Sequence, residues 1–512
     1  MFIAPQPRKA AAITKTQPMP FPAKGWHIKG PVTGMGKDEA LRIHNAIVYQ
    51  DGIRPRHGYT THASGLGAGV YTLMDWAAEG TSPKLFAATP TAIFDVTTFG
   101  TSSPSAAVTG QHSGRWSVAP LSNIGTTFIW CCNDHSSDVP MVYDGTGWSA
   151  ADVQGCEAGK LYPCCSHMGR IFAAEKGALK LWYLATHAAD GPAYMIDLAP
   201  ACQKGGEVVA MASLPRSGGR SKADQLVVVT SKNEVLVWSG TDPDNAATWD
   251  EAGVYTIPSV VGGARCFTQF GSSLLVSTCV GVLPLTDVLA APPASESTGA
   301  VSEPIYDAIV SAADQISGET GWQIIEGVDD SVLVLNVPLP GGIRQFARYE
   351  RSQAWCSWDI PATCWGRVGG ALYFGTPDGK VKAYGAGVYT DDGDAIEAEI
   401  IHSYQGHGAW KNYTRVRPWL MAPNHYRPRV KVVTDYRPLD DAYPAHNTAS
   451  LTNAWDGLTW QDWSWESRPS ERFSWRGVRG AGVAAALIIS CKSTAPWLYR
   501  GADLEYFLGG HP

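Results

Sequence analysis

The sequence predicts an all-β protein: a β-propeller of about seven blades joined to a C-terminal antiparallel β-sandwich or platform. Three observations carry this. Short apolar strands separated by tight turns recur from residue 70 to residue 384. They recur every 40–50 residues or so, roughly the length of one propeller blade. The chain holds 54 Gly, 34 Pro and 20 Trp but only 17% charged residues, which suits many short strands and argues against helical bundles.

Taken in order, residues 1–45 contain Pro and Lys with little periodicity and read as an extended arm. The stretch 45–58, NAIVYQDGIRPRHG, holds a strand at 46–49, a turn at Asp51–Gly52 and a basic segment, so 1–64 form an N-terminal arm and platform segment. Blade strands follow at 71–75, 84–88 and 92–97, then at 116–119, 127–132, 140–144 and Trp148. The third set is 162–166, 170–174 and 179–184, and the fourth is 207–214, 225–230 and 234–239. The fifth is 264–270, 273–278 and 280–285; the sixth is 321–326, 331–337, 343–349 and 355–360. The seventh is 363–368 with the hairpin ALYFGTPDGKVKAY at 371–384, whose turn uses Pro377 to set φ and Gly379 to supply a positive one. One helix interrupts the series at 302–316, with Ile305, Ile309, Ala312, Ala313 and Ile316 on one face and Ser302 as its cap. The propeller therefore spans 65–390. A β-rich platform of 391–512 follows, with strands at 395–404, 411–421, 429–436, 484–491 and 503–508 around a Trp-rich stretch at 453–476.

The net charge of −7 gives no general pull towards nucleic acid or acidic membranes. Residues 1–25 show no secretory pattern, and the longest apolar stretch, 483–490, is far short of the ~20 residues of a membrane span. Eleven cysteines include the adjacent pairs Cys131–Cys132 and Cys164–Cys165, a poor geometry for bonding to each other, and read as reduced, buried residues. The expectation is a chain made in the cytoplasm with no membrane span.

No catalytic or cofactor pattern emerges. Gly34–Met35–Gly36–Lys37–Asp38 lacks phosphate-loop spacing, and Asp391, Asp392, Asp394, Glu397 and Glu399 lack a calcium-loop register. No Cys/His cluster stands at zinc spacing among the thirteen His. We expect no enzyme activity, no cofactor and no metal. Two features suggest surfaces instead. Lys411, Arg415, Arg417, Arg427, Arg429, Lys431 and Arg437 form a basic island, with Arg415 and Arg417 on one strand face, Arg429 and Lys431 on another, and Arg54 and Arg56 as possible additions. Such an island is a contact surface for an acidic partner, or is neutralised internally by the acidic loop at 391–399. Trp455, Trp460, Trp463, Trp465 and Trp475 are read as interface and core packing in preference to a stacking platform.

These pieces together resemble the tail hub or tail nozzle proteins of short-tailed bacteriophages, also described as packaged-DNA stabilisation or head-completion proteins. The matching residues are Asn45 with the run Gly52 to Tyr59, Lys84 to Ala88 with Ile93 to Val96, and Val142 to Gly145 before Trp148. Phe374–Gly375, Asp378–Gly379 with the acidic loop, the spaced tryptophans and Gly509–Gly510 complete them. The resemblance runs from residue 45 to the end. It implies a structural virion protein, a propeller with an added β-rich domain, forming a homo-hexameric ring below the portal and adaptor. Implied partners are further copies of itself, the adaptor or head-completion protein, other tail proteins such as fibres, and double-stranded DNA in transit. It implies no catalytic residue. The competing class is a carbohydrate-binding or carbohydrate-active propeller, which requires carboxylates and Trp clustered at one end of the ring.

Overall fold

The recurring apolar–turn–apolar phrase folds into seven small antiparallel sheets. The computed structural model describes residues 14–123, 125–215, 224–245, 247–271, 273–290, 299–316, 320–328, 331–406, 408–422, 428–437, 470–472 and 474–509. The chain divides into two compact units: Gly58–Arg348 with Trp358–Val388, and Met1–His57 with Tyr349–Ser357 and Tyr389–Pro512.

The first unit is the propeller. Blade one is Thr72–Trp76, Lys84–Ala88, Ala92–Asp95 and Ala106–Thr109; blade two is Trp116–Asn123, Thr126–Asn133, Met141–Tyr143 and Trp148–Ala150. Blade three is Leu161–His167, Arg170–Glu175, Lys180–Tyr183 and Tyr194–Asp197; blade four is Val208–Leu214, Gln225–Thr230, Glu234–Gly240 and Trp249–Thr256. Blades five and six begin with Phe267–Phe270 and Gln323–Gly327. Blade seven is Cys364–Val368, Ala371–Gly375 and Val381–Tyr384. A cavity of about 390 Å³ is lined by residues of all seven innermost strands, from Leu73 and Trp116 round to Gln323 and Trp365. Seven strands around one cavity are a closed ring.

Closure depends on a strand from the other end of the sequence. Tyr59–Ser64 pairs antiparallel with Val381–Tyr384 and becomes the outermost strand of blade seven. This moves the start of the propeller back from the expected residue 65, and the reason is physical. The edge of blade seven offers unpaired backbone groups, and YTTHAS satisfies them although it carries little apolar alternation.

The core lies between blades, because a single small sheet cannot cover its own faces. Phe86 and Met74 of blade one pack with Trp116, Ile129 and Tyr143 of blade two. Phe172 and Leu181 of blade three pack with Leu226 and Val228 of blade four. Leu73 and Leu85 meet Cys364 and Val381 across the seam between blades one and seven. Burying each such side chain stabilises by about 1.5–3 kcal/mol.

The expected helix is present as Glu303–Ile305 continuing into Tyr306–Ile316, and Ile305, Ile309, Ala312, Ala313 and Ile316 are buried. Its cap differs from expectation. Ser302 makes no side-chain cap bond; its Oγ accepts the Val282 N–H at 2.8 Å, tying the helix start to blade five.

The second unit has two sheets. In one, Leu498–Leu508 is flanked by Lys411–Ala422 and by Thr14–Pro20, and Ala46–Tyr49 pairs with Gly52–Pro55. In the other, Asp394–His402 lies between Glu39–His44 and Ala485–Ser493, with Arg429–Thr434 outermost. The sheets face each other where His402 Nε2 meets the Tyr499 hydroxyl at 2.9 Å and Thr434 Oγ1 donates to the Ala481 carbonyl at 2.9 Å. One expectation changes here. Residues 14–45 are not the extended arm expected of 1–45: Thr14–Pro20 pairs residue for residue with Gly501–Phe507, and Glu39–His44 pairs with Asp394–His402. Ala354–Trp358 is the fourth strand after Gln323–Gly327, Val332–Leu339 and Gly342–Tyr349, as expected, and its Trp355 and Ser357 also pair with Gly25 and His44.

Candidate functional site

The predicted basic surface resolves into residues with different jobs. In the strand Lys411–Ala422 the buried positions are Lys411 and Tyr413, then Val416, Pro418, Leu420 and Ala422. A register irregularity between Tyr413 and Arg415 accounts for that change of phase. It leaves Arg415, Arg417 and Trp419 together on the outer face. Opposite them in register stand Glu505 and Asp503. Arg417 Nη2 and Nε donate to Asp503 Oδ2 at 2.6 and 3.0 Å, and its guanidinium lies 4.9 Å from the Trp475 ring centre. Arg415 Nε is 3.6 Å from Glu505, and its side chain remains 61% exposed. Arg415 and Arg417 are thus paired by cross-strand register with acids that sequence reasoning did not consider. The signal was available in Asp503-x-Glu505, which repeats the spacing of Arg415-x-Arg417.

Arg56 is 1% exposed. Its Nη1 and Nη2 grip Asp391 at 2.8 and 2.6 Å, and its Nε donates to Asn45 Oδ1 at 2.9 Å. It is a structural clamp on the acidic loop. Arg54 is half-exposed, bonded to Asp51 Oδ2 at 2.7 Å and stacked 4.7 Å from Tyr49. Arg429 and Lys431 are half-buried on the outermost strand of their sheet, where charges discourage pairing with another chain. Arg427, Trp455, Trp460, Trp463 and Trp465 lie outside the described residues.

Sequence reasoning missed a second site, the mouth of the propeller axis. A cavity of about 510 Å³ opens there, lined by all seven blades and by five charged side chains: Arg115, Asp134, Lys176, Glu207 and Arg265. Arg265 of blade five reaches blade one, donating from Nη2 to the Tyr71 carbonyl and the Thr72 hydroxyl, both at 2.6 Å. Thr72 in turn donates to the Gly114 carbonyl at 2.7 Å and accepts the Trp116 N–H at 2.9 Å, joining blades one and two. Blades five and one stand on opposite sides of a seven-membered ring, so Arg265 bridges the axis. Arg115 lies 3.8 Å from Asp134, and burial lowers the pKa of Lys176 despite the nearby carboxylates of Asp134 and Asp138. With three cations against two acids, the arrangement is suited to holding a polar or anionic group. The signal for it was faint: isolated charges just outside strand ends, spread from residue 115 to residue 265 with no common spacing.

No protein-family model and no curated protein matches the chain. Among solved structures, YCF48 from Cyanidioschyzon merolae is 12% identical, covering 64% of this chain and 98% of its own with a TM-score of 0.37. YCF48 bound to a D1 peptide is 11% identical over 70% of this chain and 100% of its own, at 0.39. The β-propeller domain of Cps50 (Swd1) from Myceliophteria thermophila is 11% identical over 64% and 99%, at 0.40. At these scores none carries a function across to this chain.

Proposed function

We propose that the chain is a non-enzymatic structural subunit of a virion tail, of the hub or nozzle kind its sequence resembles. Six copies form a ring below the portal and adaptor, retain packaged DNA and conduct it during ejection. The observation that carries this reading is the arrangement of the chain. The described residues within 14–57 and 389–509 build one β-rich unit, and the propeller is inserted between them. That is the propeller with an added β-rich domain which the resemblance implies. Arg265 bridges the propeller's own axis, so on this reading the DNA path is the lumen enclosed by the ring. The largely exposed Arg415, beside Arg417 stacked on Trp475, supplies a contact for an acidic partner surface.

The test is the mass distribution of the purified protein, alone and mixed with portal–adaptor complexes, together with negative-stain images. Six-fold rings are expected. A chain that stays monomeric under both conditions overturns the proposal.

A further inference from the structure

At the rim of the propeller, three potential metal ligands from two separate segments converge. His112 lies on the link between blades one and two, and His135 and Asp138 lie on the loop between the second and third strands of blade two. One ligand atom from each residue falls within 4.8 Å of the others. His112 Nδ1 is 2.6 Å from Asp138 Oδ1, and the two imidazoles stack with centres 4.9 Å apart at 23°.

The surroundings are those of a built site. Asp138 is the buried member, its side chain 3% exposed while that of His112 is 57% exposed. The His112 backbone N–H donates to Asp138 Oδ2 at 2.8 Å, so both carboxylate oxygens are held in place. Asn133, itself 1% exposed, donates to Asp138 Oδ2 and accepts the His135 N–H at 2.9 Å. One buried side chain therefore orients the Asp138 carboxylate, as outer-shell groups do around metal ligands, and fixes the backbone from which His135 projects. Ser137 N–H donates to His135 Nδ1 at 3.3 Å, and Lys176 fixes the His135 carbonyl at 2.9 Å.

We infer that His112, His135 and Asp138 form a three-ligand site for a divalent transition metal of the zinc class. Two imidazoles and one carboxylate favour Zn²⁺, Co²⁺ or Ni²⁺ over the all-oxygen ligation of Mg²⁺ or Ca²⁺. Binding requires the His112 tautomer that carries its hydrogen on Nε2, and the cation then takes the place of the hydrogen between His112 Nδ1 and Asp138 Oδ1. Ligand atoms around a tetrahedral zinc stand about 3.3 Å apart, given bonds near 2.0 Å. The exposed His135 closes the remaining distance by side-chain rotation. The fourth position faces solvent and takes water. This departs from the expectation of no metal. His112 and His135 are 23 positions apart, too far for a zinc-spacing search to join them, and only the blade-one link brings them together.

The test uses full-length, tag-free protein stripped with a chelator, titrated calorimetrically with Zn²⁺ and followed with Co²⁺ by visible absorption. One Zn²⁺ per chain is expected, with a tetrahedral Co²⁺ band that Zn²⁺ abolishes and Mg²⁺ does not. His112→Ala and His135→Ala are each expected to weaken binding at least ~10-fold. Both residues are exposed, so their folding is checked by thermal melt and is expected to match the wild type. Asp138→Asn serves as a third variant only. Zinc binding unchanged in the His112→Ala/His135→Ala double variant overturns the proposal, as does wild-type protein that takes up no zinc at micromolar free metal.

Discussion

Adjacent charges of one sign can have opposite roles, and Arg415 and Arg417 separate them. Arg417 carries two hydrogen bonds to Asp503, which is 8% exposed, so Arg417→Ala strips a largely buried carboxylate of its main partner. A loss of about 1.5–3 kcal/mol is expected, read as a lower urea midpoint. Arg417→Glu is expected to be worse still, which makes it a poor probe of docking. Arg415→Ala, by contrast, is expected to cost under ~1 kcal/mol, because its pair is long and mostly exposed. If Arg415 serves assembly, that variant melts normally but forms fewer rings by mass measurement. His402 gives a pH dependence. It is fully buried, and burial drives its pKa down to about 3 from an ordinary 6.5. The unfolded chain therefore binds a proton that the folded chain refuses. This contribution is intact above pH 6.5 and is lost as pH falls towards 3, at up to about 1.4 kcal/mol per pH unit. His167 in blade three, lowered to about 4 by burial, adds a similar slope. Urea midpoints measured from pH 7 to pH 4 are expected to fall, and His402→Gln is expected to flatten the fall without abolishing it.

Elements show where the sequence was legible and where it was not. The second strands of the blades carry buried apolar runs, such as Leu226–Val229 within Gln225–Thr230, and they stand within a few residues of where the pattern places them. The outer strands Tyr194–Asp197 and Trp249–Thr256 are largely exposed, so they have no apolar pattern to read. Thr14–Pro20 is the extreme case, with Met19 as its single buried residue. The seam between blades one and seven offers the test at this scale. A Cβ on Gly375 meets the Val70 side chain at 2.7 Å and its carbonyl oxygen at 2.8 Å, and backbone there has little room to yield. Gly375→Ala is expected to destabilise by about 1–3 kcal/mol, seen as a Tm several degrees lower. Gly147→Ala, where a Cβ meets nothing within 4 Å, is the control and is expected to stay within about 0.5 kcal/mol.

For the whole molecule, the two-unit division makes the choice of truncation decisive. Cutting at residue 395 removes the strands that Thr14–Pro20 and Glu39–His44 pair with, and leaves them without partners. A chain of residues 58–388 keeps every strand of the ring, including Tyr59–Ser64. It is expected to unfold in one cooperative transition by circular dichroism and to remain monomeric. Residues 65–388, which lack the closing strand, are expected to melt lower or aggregate through the exposed edge of blade seven. Equal stability of the two truncated chains would remove the role assigned to that strand.

What the sequence determined by itself was the local phrase and its repetition: apolar runs, turn residues and one amphipathic helix whose buried face was read residue by residue. These follow from near-neighbour rules, which a single chain displays openly. Tertiary structure decided everything that depends on distant partners. It set Asp503 and Glu505 against the basic strand, buried Arg56 on Asp391, closed the ring with Tyr59–Ser64, and brought His112 to His135 and Asp138. The physical reason is the same in each case. A strand edge, a buried charge or a metal ligand is completed by whatever group the fold delivers to it, and no local period records where that group lies in the sequence.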